Sequence, residues 1–256
     1  MRVLHVARRE WLEQLRQPAL LGVMATLHGV IAVLVLTALA AIGTLMDPEV
    51  GEVMTIFVDD PTRIPEWLDS LAGSTLTLFF FLSFTQFLGL TSVLAGHSIL
   101  HDRQVGALTF LLLAPIRRVE LLLGKVMGAL GIALVLHLGI DGLTALLTTQ
   151  FAVTAPHAVW LPVSAAWWWS FAVAGPVWAA FVAALCVLIS SQARDVRLAQ
   201  QGVWFVVFFA TLFAGLLITW ALAEGLATLL VASALGFVGL GSTVLVGSLA
   251  FERDVA

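Results

Sequence analysis

The chain has 256 residues, of which 61% are hydrophobic and 11% are charged, and it contains no tyrosine. Water-soluble globular domains carry about 25% charged residues, so this composition excludes an ordinary soluble domain. The formal net charge is −4, and the basic residues are scattered rather than collected in a stripe, so no nucleic-acid partner is indicated. The composition predicts an integral membrane protein.

Residues 1–18 predict an amphipathic helix before the first apolar run. Its apolar members share one helical face: Leu4, Ala7, Trp11 and Leu15. We expect this helix to lie at the membrane interface, with Trp11 at headgroup level. Pro18 then turns the chain into the membrane.

Six charge-poor runs follow, each long enough to cross a bilayer core, which needs about 20 apolar residues per helix. The predicted spans are Leu20 to Met46, Leu71 to about His97, Val126 onward through Asp141, a run ending at Ala193, Leu198 to Ala223, and Gly225 to Phe251. The fold class is therefore an all-α polytopic membrane protein with six transmembrane helices in a single domain, residues 1–256. Residues 47–70 form the first loop on the outer side.

The distribution of basic residues predicts the orientation. Eleven of the twelve Lys and Arg residues lie before the first span, between spans two and three, between spans four and five, or in the tail. Positive residues concentrate in cytoplasmic loops, so the N-terminus and the C-terminus are both predicted inside. Acidic residues crowd the outer loop instead. We expect a multi-pass protein of the plasma or inner membrane.

Polar side chains within the spans are candidates for a translocation path: His28, Gln86, His137 and Asp141. His137 and Asp141 are four residues apart and share a helical face. A carboxylate inside a membrane is a functional hypothesis by default. This pair could take up a proton or contact a cationic substrate, or it could make a polar contact between helices.

Motifs for enzyme chemistry are missing from the sequence. Gly124-Lys125 is the one Gly-Lys pair, and Val119 and Val126 stand where a phosphate-binding loop needs Gly and Ser or Thr. We find no His and Cys spacing typical of a metal site and no catalytic Ser, His and Asp set. We therefore expect no metal, no cofactor in this chain and no enzymatic activity by itself.

The charged segment 101–118, between spans two and three, carries a recognisable pattern. It contains His101-Asp102-Arg103-Gln104-x-Gly106, then Leu111-Leu112-x-Ala114-Pro115-x-Arg117-Arg118, and Gly124-Lys125 follows. With Arg9-Glu10-Trp11 near the start and Phe251-Glu252-Arg253 near the end, this pattern resembles permease subunits of type-2 ATP-binding-cassette (ABC) exporters. Ala107 and Thr109 stand where the family usually has Thr and Glu.

The resemblance implies that this cytoplasmic segment is a coupling helix that docks on a separate ATPase. The residues implied in coupling are Asp102, Arg103, Gly106, Leu108, Leu111, Leu112, Pro115 and Arg117. It also implies two copies of the ATPase subunit, which bind ATP and Mg, and a second permease chain, identical or different. Membrane lipid is the remaining partner.

Two other functions are compatible with the sequence. A proton-coupled secondary transporter would use His137 and Asp141, and its transport would survive ATP depletion. A membrane scaffold for an assembly would show neither ATP dependence nor proton dependence. An ATPase reading frame beside this gene would favour the ABC transporter.

Overall fold

A computed structural model describes residues 2–16, 18–45, 64–107, 116–154, 165–193 and 196–253. Within these ranges the chain is helical and contains no strand. Six helical runs are long and apolar enough to cross a membrane, which confirms the predicted all-α fold with six candidate spans.

Nine α-helices and two π-helical turns make up these described ranges. Helix α1 covers Arg2–Leu15, span one is α2 (Pro18–Leu45), and span two is α3 (Ile64–Gln104). Span three consists of α4 (Arg118–Leu136), the π-turn π1 (His137–Asp141) and α5 (Gly142–Thr154), and span four of α6 (Ala165–Trp169), the π-turn π2 (Ser170–Ala174) and α7 (Gly175–Gln192). Span five is α8 (Val196–Glu224), and span six is α9 (Leu226–Arg253).

Span two is the longest element of the fold. Its 41 residues correspond to about 60 Å of helix, which is twice the thickness of a bilayer core. The helix therefore extends beyond the apolar layer and carries Asp102 and the start of the charged segment with it.

The core of the described bundle lies between spans two and four. Span two contributes four fully buried phenylalanines: Phe79, Phe80, Phe84 and Phe87. Span four presents small residues to them, including Ala179, Ala183 and Ala184, each with no exposed surface. Since lipid is as apolar as these side chains, close van der Waals packing stabilises the contact more than burial from lipid does.

Spans four and six are joined through two indole groups. Trp178 Nε1 donates to the carbonyl oxygen of Ala232 and Trp169 Nε1 to the hydroxyl of Ser233, both at 3.1 Å. Interhelical hydrogen bonds of this kind fix the rotation of one helix against its neighbour.

Spans five and six present a broad apolar surface on their outward faces. On span five, this surface consists mainly of large aromatic rings: Trp204, Phe205, Phe208, Phe209, Phe213 and Trp220. Such a surface suits contact with lipid or with another membrane chain.

Helix α1 packs along the first turns of span three. Its predicted extent agrees with the structure, but its buried face is Val6, Ala7, Glu10 and Gln14. Of the four residues on the predicted apolar face, Leu4, Trp11 and Leu15 are exposed. The other side of α1 faces the bundle, where Glu10 contacts a buried lysine on span three, and the interfacial location of the exposed face stays a prediction.

Glycines on span three permit this close approach. A Cβ atom added to Gly124 would lie 2.5 Å from the Cβ of Val6, and one added to Gly128 would lie 2.5 Å from the Cβ of Glu10. Gly131 faces the indole of Trp11 in the same way. Gly124, Gly128 and Gly131 therefore form a small-residue face on span three, and its partner helix is α1.

Candidate functional site: charged and polar clusters around span three

The charged segment after span two is bounded by two well-defined backbone features. Helix α3 ends at Gln104, and Gly106 then adopts a φ of +72°, which a residue without a Cβ accepts readily. On the far side, the backbone N–H of Arg117 donates to Glu120 Oε2 at 2.9 Å, which stabilises the start of α4. The segment is thus joined to a helix end on each side.

The predicted coupling residues divide into three groups. Leu108, Leu111, Leu112 and Pro115 lie outside the described residues, as does the side chain of Arg103. Gly106 and Arg117 are exposed. Asp102 has no exposed surface, so its carboxylate contacts the inside of the bundle.

Asp102 belongs to a buried group of charges centred on Lys125. The Lys125 ammonium donates to Glu10 Oε1 at 2.6 Å, to the carbonyl oxygen of Ser98 at 3.2 Å, and to Asp102 Oδ2. Lys125 and Asp102 have no exposed surface, and Glu10 has 1%. One cation therefore connects helix α1 with spans two and three.

Arg9 extends this group toward the surface. Its Nη2 lies 2.9 Å from Asp102 Oδ1, and its Nε lies 2.9 Å from Glu13 Oε1. We refer to Arg9, Glu10, Glu13, Asp102 and Lys125 as the Lys125 cluster. Each carboxylate in it contacts a cation, which is the condition for keeping charges out of water.

The Lys125 cluster holds one more acid than base when every member is ionised. Burial raises the pKa of the Glu10 carboxyl above its ordinary value, and the attraction of Lys125 opposes that rise. Burial therefore disfavours the charged form of Glu10.

A small polar cavity adjoins the Lys125 cluster. It has a volume of about 20 Å³ and is lined by Glu10, Glu13, Gln14, Leu94, His97, Ser98 and His101. Both amide atoms of Gln14 are buried without a hydrogen-bond partner among the described residues. A cavity of this size and polarity has room for about one water molecule, which could satisfy that amide.

A second polar group lies deeper in the bundle. His137 Nδ1 and Asp141 Oδ2 are 2.7 Å apart, and His28 Nε2 of span one lies 3.8 Å from the same oxygen. The three side chains are between 0 and 2% exposed. The face predicted for His137 and Asp141 is correct in the structure, and His28 joins them from another helix.

Aromatic rings enclose His137 on both sides. The ring of Phe87 stacks on it with centroids 4.4 Å apart, and Phe171 of π2 lies 4.2 Å away. The imidazole of His137 is therefore held between two aromatic rings while its Nδ1 contacts Asp141. Asp141 Oδ1 and His137 Nε2 are buried without a hydrogen-bond partner in the described part of the chain.

Gln86 is the fourth predicted path residue. It is partly buried and precedes Phe87, but its Oε1 finds no hydrogen-bond partner among the described residues. The structure therefore brings together His28, His137 and Asp141 and leaves Gln86 outside their hydrogen bonds.

An open groove lies between spans two and five, at the end of span two remote from Asp102. It has a volume of about 620 Å³ and is lined by Ser70, Gly73, Ser74, Thr77, Leu78, Phe81, Leu216 and Thr219. Two of its hydroxyls, Ser74 and Thr77, donate to backbone carbonyls of their own helix. The groove is therefore apolar with isolated polar points, and none of the predicted path residues lines it.

Sequence reasoning did not assign a role to Glu10 or Lys125 beyond their place in motifs. A lone lysine inside an apolar run requires a counter-charge, and this is the signal by which a partner for Lys125 could have been sought in the sequence. No group of three or more His, Cys, Asp or Glu side chains among the described residues is arranged to hold a metal ion.

The fold and these sites define a polytopic helical membrane protein with a charged segment between its second and third spans. The model of the ABC-2 family transporter proteins matches residues 4–231, and the chain belongs to that family. Permeases of this family work with ATPase subunits in ABC transporters and are typically non-enzymatic membrane components. No curated protein and no solved structure matches the chain.

Proposed function

We propose that this chain is the membrane-spanning subunit of an ABC exporter and that residues 101–118 dock on separate ATPase subunits that bind ATP and Mg. The observation that carries the proposal is the anchoring of this segment. It leaves span two next to the buried Asp102 and enters span three next to Glu120, so a force on it reaches both helices directly.

The charge distribution supports the N-in and C-in orientation, which places this segment in the cytoplasm beside the ATPases. The apolar faces of spans five and six provide surface for a second permease chain, identical or different. Two permease chains and two ATPase subunits then make up the transporter. ATP-driven closure of the ATPases would move the spans between inward-facing and outward-facing arrangements.

Co-purification with a partner ATPase subunit tests the proposal. We expect Leu112→Glu to abolish ATPase binding, because a charge replaces an apolar contact of the docking segment. Glu224→Lys, at the turn between spans five and six, is the matched control at the opposite end of the bundle and should bind as the unmodified chain does. Undiminished binding of Leu112→Glu would refute the docking assignment.

The His137–Asp141 pair is the feature that a proton-coupled secondary transporter would use. That function predicts transport that continues after ATP depletion and is lost in Asp141→Asn. Transport by an ABC exporter would instead stop when ATP is depleted. One transport measurement in ATP-depleted vesicles therefore separates the two functions.

A further inference from the structure

We propose that Lys125 makes helix α1 part of the coupling machinery, so that α1, the end of span two and the first turns of span three move as one body. The inference rests on the proposed function, because it concerns how a force on residues 101–118 is passed on. Lys125 acts in it as a positioning residue that holds three helices together.

Lys125 links the two ends of the segment 101–118. Asp102 lies one helical turn before Gly106, where the chain leaves span two, and Lys125 lies two turns after Arg118, where span three begins. The direct contact between the Lys125 ammonium and Asp102 therefore joins both ends of the segment. A displacement of the segment cannot separate the two spans without breaking this buried ion pair.

Helix α1 is held to the same cation and to the same helix. Glu10 contacts Lys125 at 2.6 Å, and Arg9 contacts Asp102 at 2.9 Å. Independently, Gly124 and Gly128 place the backbone of span three against Val6 and Glu10 with no room for a side chain. Charge pairing and close packing thus hold α1 against the same two turns of span three.

Helix α1 is also connected to span one. Helix α1 ends at Leu15 and span one begins at Pro18, so motion of α1 is passed to span one through a short connection. Deeper in the bundle, His28 of span one lies 3.8 Å from Asp141 of span three. Span three therefore contacts α1 at Lys125 and span one at Asp141, and both contacts involve buried charged or polar groups.

The size of the coupling unit follows from these contacts. It includes α1, the end of span two and the first turns of span three, and its contacts continue into span one at His28 and into the later part of span three at Asp141. Among the described side chains of spans five and six, none belongs to the Lys125 cluster or to the His28, His137 and Asp141 group.

Spin-label distances in the assembled permease and ATPase complex test the proposal. Cys186 is the sole cysteine and is buried, so Cys186→Ala provides the background. Labels at Leu12 of α1 and Val135 of span three are both exposed, and their distance is measured without nucleotide and after vanadate trapping. We expect the same narrow distance distribution in both states.

Variants connect this rigidity to the Lys125 cluster. We expect Lys125→Met to retain ATPase binding but to broaden or shift the Leu12 to Val135 distribution on trapping. Glu13→Gln, which alters the partly exposed edge of the cluster, should keep the narrow distribution. Gly128→Leu, which wedges α1 away without changing a charge, should broaden it as Lys125→Met does.

Two results would overturn the inference. One is a Leu12 to Val135 distance that changes between the nucleotide-free state and the vanadate-trapped state while the Lys125 cluster is unmodified. This measurement does not depend on the folding of any cluster variant. The other is a Lys125→Met distribution that stays as narrow as that of Glu13→Gln. Loss of ATPase binding by the unmodified chain would instead refute the proposed function, so the two failures are distinguishable.

Discussion

At the scale of single residues, buried charge on span three is concentrated at Lys125 and Asp141, about 24 Å apart along the helix. Both side chains are fully buried. Lys125 contacts Glu10 of α1, and Asp141 lies close to His28 of span one. Removing one partner of a buried pair leaves the other uncompensated, which costs more than removing both. For each cluster, a single substitution should therefore cost more stability than the double substitution that removes both partners.

The pH dependence of stability should report on Glu10. Its pKa in the folded protein is raised above 4.5 by burial, so the folded state binds the proton more tightly than the unfolded state does. The stability that Glu10 contributes is fully present below pH 4.5 and is lost as pH rises through the folded pKa. Relative to the unmodified chain, Glu10→Gln should therefore gain stability as pH rises through this window.

Thermal unfolding of both chains in detergent, measured from pH 4 upward, checks this expectation. The difference in Tm between Glu10→Gln and the unmodified chain should grow with pH and then level off. Glu13→Gln serves as the control on the same helix. A difference that shrinks with rising pH would contradict the assigned direction of the Glu10 pKa shift.

The His137–Asp141 pair should show the asymmetry of buried partners directly. His137→Phe keeps an aromatic ring between Phe87 and Phe171 but removes the donor to Asp141. We expect it to destabilise the fold by about 3–5 kcal/mol, whereas His137→Phe combined with Asp141→Leu should cost far less. Unfolding in mixed micelles with increasing dodecyl sulfate measures both, and additive losses would refute the pairing.

At the scale of elements, the packing of α1 on span three illustrates what local sequence does and does not determine. Helical periodicity predicted a helix over the first residues, and α1 covers Arg2–Leu15. Its buried face was not predictable in the same way, because Glu10 faces inward only to meet Lys125, 115 positions later. The local sequence pattern therefore determines that α1 is a helix, and a charge far along the chain determines which face of α1 is buried.

The glycine face of span three gives a matched pair of variants for this contact. Gly128→Ala places a Cβ 2.5 Å from the Cβ of Glu10, while an added Cβ at Gly89 meets nothing within 4 Å. We expect Gly128→Ala to destabilise by about 1–3 kcal/mol through overpacking. Gly89→Ala should be neutral or stabilise by up to about 1 kcal/mol, because Ala favours helix over Gly.

Arg8 and Arg16 of α1 are exposed, so the rate at which trypsin cleaves there reports how tightly α1 is held. This rate is measured for the two variants in addition to their stability. Faster cleavage in Gly128→Ala than in Gly89→Ala is expected, since α1 would be held less tightly. Equal cleavage rates and equal stability would show that α1 does not depend on this close approach.

At the scale of the whole molecule, the six spans follow from hydropathy because a bilayer requires long apolar runs. Which helices pack together does not follow from hydropathy, since every span is apolar and lipid competes with protein for the same surface. The contact of His137 with Phe87 and Phe171 was therefore not predictable, although the shared face of His137 and Asp141 was. The coupling residues 108–115 lie outside the described residues, so their docking role stays a prediction.

Cysteine labelling of intact cells tests the proposed orientation of the whole bundle. Positive residues flank Val105 but not the turn at Glu224, so the positive-inside rule places Val105 in the cytoplasm and Glu224 outside. In the Cys186→Ala background, a membrane-impermeant maleimide should react with Glu224→Cys on intact cells and with Val105→Cys only after permeabilisation. Both positions are exposed in the structure, so a lack of reaction would report the side of the membrane rather than burial. The reversed labelling pattern would place residues 101–118 on the side away from any cytoplasmic ATPase and would refute both the orientation and the coupling role.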